Sequence, residues 1–61
     1  ARKSIHIKND LPKGKIITRD DLIMKRPGDG ISPMNINKVI GKTTSKILMM
    51  DDKLKLEDLL K

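Results

Sequence analysis

Residues 25–33, Lys-Arg-Pro-Gly-Asp-Gly-Ile-Ser-Pro, place two prolines and two glycines within nine positions at the middle of a 61-residue chain. Proline has no backbone N–H to give a helix or a sheet. Glycine is favoured where φ is positive or where the chain must pass close to something else. Neither a regular helix nor a central strand can run through such a segment, so it reads as a shaped loop. Arg26 precedes Pro27, which biases its backbone toward an extended conformation. The guanidinium could then be aimed outward from a fixed base, or it could be a solvated side chain on a plain crossover; the residues alone leave both open. The residues before the loop look like one small β unit, and those after it like another.

A chain of this length is at most one domain, spanning 1–61, and a domain of this size buries only about 60% of its unfolded-state surface. It has no Cys, Phe, Tyr or Trp. A disulfide framework and a thiolate metal site are therefore excluded, and the core must come from Ile, Leu, Met and Val. The formal charge of +6 favours anionic partners in general. The lysines are scattered, however, with no run of five, and the aromatic platforms that stack single-stranded nucleic acid are missing. Most of the lysines read as solubilising surface, with no nucleic acid as partner. No apolar run approaches the roughly 18 residues of a membrane span, and the N-terminus lacks a signal-peptide core. The start at Ala-Arg-Lys suggests a segment excised from a longer protein.

Along the chain, Ile5 and Ile7 alternate with Ser4, His6 and Lys8, the period of a strand with one buried face. This places His6, the single histidine, on the polar side as a surface residue. Asn9 to Gly14 reads as a turn, and Ile16-Ile17 as a very short strand. Thr18 can then cap a helical turn whose Asp21 takes the capping-box position, with Asp20 beside it. Side chains of adjacent residues diverge from a helix, so Asp20 and Asp21 are a poor catalytic or metal pair. Leu22-Ile23-Met24 resumes an apolar path into the loop.

Beyond the loop, Ser32 is a good N-cap and Pro33 suits the first helical position. Ile36, Val39 and Ile40 form one apolar stripe, and Gly41 is a candidate C-cap. Residues 42–50 should return to extended structure, with Ile47-Leu48-Met49-Met50 entering the core. Asp51-Asp52 marks a turn, Lys53-Leu54-Lys55-Leu56 alternates, and residues 57–60 suggest a last helical turn. A faint echo links residues 15–22 with 53–59, pairing Lys15 with Lys53, Ile16 with Leu54, and Asp21-Leu22 with Asp58-Leu59. It suggests two similar halves around one small core.

Two stretches carry a family pattern: Asp10-Leu11-Pro12-Lys13-Gly14-Lys15-Ile16-Ile17-Thr18-Arg19-Asp20-Asp21-Leu22, and residues 25–33 followed by Val39-Ile40-Gly41-Lys42. Together they resemble the SAF or antifreeze-like domain found at the C-terminus of bacterial sialic acid synthases and their legionaminic and pseudaminic acid relatives. The Arg-Pro-Gly and Gly-Ile-Ser-Pro elements are the more specific part. The resemblance implies a mostly β, compact antifreeze-like (SAF, beta-clip) pretzel fold of short strands and single-turn helices with internal pseudo-two-fold symmetry. It implies a cytoplasmic synthase that condenses phosphoenolpyruvate with N-acetylmannosamine or a related acylamino sugar. The active site of such a synthase lies in a (β/α)8 barrel holding manganese or magnesium, with no cofactor in this domain. The resemblance further implies a domain-swapped homodimer in which this domain covers the partner subunit's barrel. Arg26 would contact the sugar, and Pro27, Gly28, Gly30, Ser32 and Pro33 would shape its loop. Isolated, the domain is expected to catalyse nothing.

The same fold resembles type III fish antifreeze protein, a non-enzymatic ice binder. Its flat surface would here fall on residues 9–21, where Lys15, Arg19, Asp20 and Asp21 introduce long or strongly hydrated groups. A generic SAF carbohydrate-binding or assembly module is the remaining alternative, and Gly-Ile-Ser-Pro argues against it.

Overall fold

The computed structural model describes residues 2–26 and 28–60. Strand β1 (Ser4–Ile7) pairs antiparallel with β2 (Leu22–Lys25), Ile7 opposite Leu22 and Ser4 opposite Lys25. Strand β3 (Thr43–Thr44) pairs antiparallel with β4 (Leu59–Leu60), Thr44 opposite Leu59. Single 3-10 turns at Arg19–Asp21 and Leu56–Asp58 lead directly into β2 and β4. A third turn, Pro33–Asn35, runs into the short helix α1 (Ile36–Val39). Ile5, Ile7, Leu11, Ile17, Leu22, Val39, Leu48 and Leu54 form the buried core. It is aliphatic, as a sequence without aromatics requires.

The two halves are related residue by residue, position i answering to i + 37. The Ile7–Leu22 pair maps onto Thr44–Leu59. The bridge Ile16–Thr43 maps onto Lys53–His6. Gly14 N–H donates to Thr44 O at 3.0 Å, and Asp51 N–H donates to Ile7 O at 2.7 Å. Lys8 N–H donates to Asp21 O at 2.8 Å, and Ser45 N–H donates to Asp58 O at 2.7 Å. Leu11 and Leu48 answer to one another and exchange both backbone hydrogen bonds, at 2.7 and 2.9 Å, so they mark the pseudo-axis. The echo in the sequence is therefore real, but its register shifts by one residue in the strand. Leu54 answers to Ile17, and both are buried, whereas Ile16 is 61% exposed.

Several sequence expectations are corrected. His6 is only 3% exposed, and β1 has neighbours on both edges. One edge carries β2; on the other, Leu54 N–H donates to Ile5 O and Ile7 N–H to Asp52 O. Alternation presumed one solvated face; here Ser4 and His6 are buried as well. The His6 ring places Nδ1 3.0 Å from Ser4 O. Of residues 47–50, only Leu48 enters the core, while Ile47, Met49 and Met50 are exposed. Leu56 likewise faces solvent.

The helix signal after the loop holds. Ser32 Oγ accepts from Met34 N–H at 3.2 Å, and Val39 is buried with Ile36 and Ile40 packed beside it. Gly41, at φ +91°, ends the element and donates its N–H to Ile17 O at 2.9 Å. Without a Cβ it takes this left-handed conformation at no steric cost.

Candidate functional site

The loop joining β2 to the Pro33–Asn35 turn crosses the molecule beside the first residues of the chain and the 51–53 turn. Ile5 N–H donates to Ile31 O at 2.9 Å, which fixes the returning limb to β1. The two glycines serve close approach. A Cβ at Gly28 would collide with the Cβ of Arg2 and reach 2.5–2.6 Å from the Arg2 carbonyl. At Gly30 it would lie 2.8–2.9 Å from the Lys53 stem and 3.3 Å from Ser4 Oγ. The loop thus lies over the face of β1 that alternation had assigned to solvent.

Arg26 is exposed, and among the described residues it takes part in no hydrogen bond or ion pair. Its near neighbours in the loop are tied down. Lys25 Nζ lies 2.8 Å from Asp51 Oδ1, and Lys53 Nζ donates to Asp29 Oδ1 at 2.9 Å. The Lys53 ammonium holds the Asp29 carboxyl below the usual carboxylate range, against a smaller opposing effect of desolvation. Of the loop residues singled out in the sequence, Gly28 and Gly30 sit at these close approaches, Ser32 and Pro33 open the 3-10 turn, and Pro27 lies outside the described residues.

Two grooves flank this loop. One, of about 410 Å³, runs between Arg2, Lys3, Gly28 and Met34. The other, of about 550 Å³, is lined by Ile31, Lys38, Val39 and Leu56, and the two share Gly30 and Ser32. Both are shallow clefts whose walls combine cations with apolar side chains.

The acidic residues are structural where they are buried. Asp21 Oδ2 accepts from Thr18 N–H at 2.9 Å, Thr18 Oγ1 at 3.0 Å and Lys15 Nζ at 2.6 Å. Burial pushes the Asp21 carboxyl up, but the Lys15 ammonium and the two Thr18 donors outweigh it and leave the group below the ordinary range. The expected capping box between Thr18 and Asp21 therefore forms, and the Thr18 hydroxyl adds a donor to the carboxylate. Asp58 repeats the arrangement by accepting from Lys55 N–H at 3.1 Å. Its buried Oδ1 has no hydrogen bond; Lys46 Nζ at 3.2 Å is close enough for an ion pair but misaligned for donation. Among the described residues, no three His, Asp or Glu side chains converge as metal ligands. Also among the described residues, no helix is long and apolar enough to cross a membrane.

The SAF domain family model matches residues 2–60. The chain belongs to the SAF family. Its SAF sequence is 44% identical over 45 residues to an N,N'-diacetyllegionaminic acid synthase of Legionella pneumophila, covering 74% of this chain and 13% of that protein. It is 38% identical over 52 residues to the corresponding synthase of Campylobacter jejuni, covering 85% of this chain and 16% of that protein. The SAF chain thus spans less than a fifth of the length of these relatives. Its fold superposes, with a TM-score of 0.90 and 29% identity, on the solution structure of an antifreeze-protein-like domain in the human N-acetylneuraminic acid phosphate synthase gene. That match covers 95% of this chain and 75% of the other. The antifreeze-like fold expected from the sequence, with its short strands and single-turn helices, is the fold observed.

Sequence reasoning did not find Asp51 or Lys53, which anchor the loop. A signal was available in the repeat: aligned at the correct register, Asp51 stands where the first half has Gly14, and Lys53 where it has Ile16.

Proposed function

We propose that residues 1–61 form the C-terminal SAF domain of a longer, cytoplasmic synthase of the legionaminic or sialic acid type, and that this domain acts as the lid of its active site. In this reading the parent enzyme condenses phosphoenolpyruvate with an acylamino sugar in a (β/α)8 barrel that holds the divalent metal. The SAF domain of one subunit covers the barrel of its partner in a domain-swapped homodimer. Arg26 contacts the sugar across that boundary.

The observation that carries this reading is the contrast within the loop. Arg26 is exposed and unengaged among the described residues, while Lys25 and Asp29 on either side are held in ion pairs. A guanidinium presents several fixed donors to an amide oxygen, hydroxyls or a carboxylate. A base that is already ordered reduces the entropy lost on contact, and closure over the barrel removes competing water. The role is positioning and closure, with no proton transferred by this domain. Similarity to legionaminic acid synthases over most of the chain supports the parent class.

Kinetics of Arg26→Ala and Arg26→Lys in the longer protein test the proposal. Loss of hydrogen bonds from a charged donor, about 1.5–3 kcal/mol, predicts a fall of about 10- to 150-fold in kcat/KM for the sugar. The KM for phosphoenolpyruvate should be little changed. An unaltered sugar dependence and turnover would remove Arg26 from the site.

A further inference from the structure

The pseudo-symmetry provides an internal control for what the fold itself requires. The turns at 14–16 and 51–53 are equivalent, and each donates to and accepts from the opposite half through the same backbone bonds. Gly14 N–H donates to Thr44 O and Thr44 N–H to Lys15 O; correspondingly, Asp51 N–H donates to Ile7 O and Ile7 N–H to Asp52 O. Both turns need a left-handed residue at their first position, φ +84° at Gly14 and +73° at Asp51. Glycine meets that need without strain. Asp51 is the non-glycine residue that adopts positive φ among the described residues. The third position is exposed Ile16 in one half and Lys53 in the other. Neither charge is demanded by the turn.

The two turns differ in what they face. The 51–53 turn lies against the Arg26 loop, and its two charges are spent there with opposite polarity. Asp51 takes the ammonium of Lys25, one residue before Arg26, and Lys53 takes the carboxylate of Asp29, three residues after it. The Lys53 stem also lies across Gly30, where an added Cβ would sit 2.8–2.9 Å from it. We propose that Asp51 and Lys53 are positioning residues that brace both flanks of Arg26, a specialisation of one half of the repeat that the fold could dispense with. Crossed polarity fixes the register of the loop, because sliding it would bring like charges together. The functional consequence rests on the reading of Arg26 as a substrate contact; the brace itself does not.

The decisive variant installs the residues of the other half, Asp51→Gly with Lys53→Ile. In the 61-residue chain, backbone relaxation and amide exchange report the loop directly. The brace predicts faster motion and several-fold faster exchange at residues 25–30, with the thermal midpoint held or raised because strain at position 51 is removed. A loop as ordered as in the parent chain would overturn it, and so would a general loosening that includes β3 and β4. In the longer synthase the same variant should raise the sugar KM by about two- to tenfold, as expected for losing two exposed ion pairs, with kcat changed less. If Arg26→Ala impairs sugar use while the double variant does not, the brace fails and the lid survives. If Arg26→Ala is without effect, the lid reading fails, and the relaxation experiment still decides the brace.

Discussion

The repeat supplies a paired experiment on stability in the two buried aspartates, Asp21 and Asp58. Asp21 Oδ2 accepts three hydrogen bonds, including one from Lys15, whose side chain is 34% exposed. In Asp21→Ala the lost bond to Thr18 N–H should cost about 1 kcal/mol, as for a helix cap. The neutral bond from the Thr18 hydroxyl adds about 0.5 kcal/mol, and the partly solvated ion pair less than about 1 kcal/mol. The sum is about 2 kcal/mol, a large share of the roughly 3–9 kcal/mol available to a chain of this length. A domain of this size loses about 4–8 °C per kcal/mol, so the midpoint should fall by about 8–16 °C.

Asp58→Ala should be milder, about 0.5–1 kcal/mol. It loses one bond from Lys55 N–H and the ion pair with mainly exposed Lys46, and it relieves a buried oxygen that has no hydrogen bond. Urea and thermal unfolding by circular dichroism on both variants give the comparison. An Asp58→Ala variant as damaged as Asp21→Ala, or an Asp21→Ala variant within about 0.5 kcal/mol of the parent, would refute the accounting. The pH dependence has a definite sign. Because the folded-state carboxyl of Asp21 lies below its ordinary value near 3.8, its contribution is complete above that value and is lost as pH falls through the folded-state value. The acid limb of the parent should therefore be steeper than that of Asp21→Asn, and the two should converge at low pH.

The remaining predictions concern packing, glycines and ice. Leu48→Ala, at the pseudo-axis and fully buried, should cost about 2–5 kcal/mol and leave the chain largely unfolded at 37 °C; a native-like melting curve would contradict the packing described. Gly28→Ala should be more damaging than Gly30→Ala, because its Cβ meets Arg2 backbone and the other meets a flexible lysine stem; equal midpoints would contradict this. Gly14→Ala has open space around the new methyl but φ +84°, so its cost should be about 1–2 kcal/mol of conformational strain alone. The isolated chain should show no thermal hysteresis, since Lys13, Arg19 and Asp20 stand exposed on the 9–21 surface; faceted ice growth would revive the antifreeze reading.

Local chemistry made much of this fold legible. The Ser32-Pro33 start, the Gly41 stop and the acid at Asp21 act within a few residues and were found where the sequence placed them. The two-fold relation was visible in Asp21-Leu22 and Asp58-Leu59, but its register was not. Only the structure shows that the buried partner of Leu54 is Ile17, since adjacent isoleucines look alike in sequence. His6 was misplaced because alternation reports one sheet face, while the cover over the other face comes from residues 28–30 and 51–54, distant in sequence. Ile47, Met49 and Met50 were misplaced because a short apolar run does not reveal that the chain touches the core at one point, Leu48. The candidate site divides the same way: composition marked the shaped loop and its glycines, Arg26 was singled out only through the family resemblance, and the ion pairs from Asp51 and Lys53 join positions more than twenty residues apart.

The central claim is that Arg26 meets the sugar across a subunit boundary. A crystal structure of the longer synthase with an acylamino sugar in its barrel tests it most directly. The lid role predicts the Arg26 guanidinium of one subunit within about 3 Å of a sugar oxygen held by the other, hydrogen-bonding distance. A structure in which Arg26 points to solvent, or in which each SAF domain sits on no barrel at all, would contradict it.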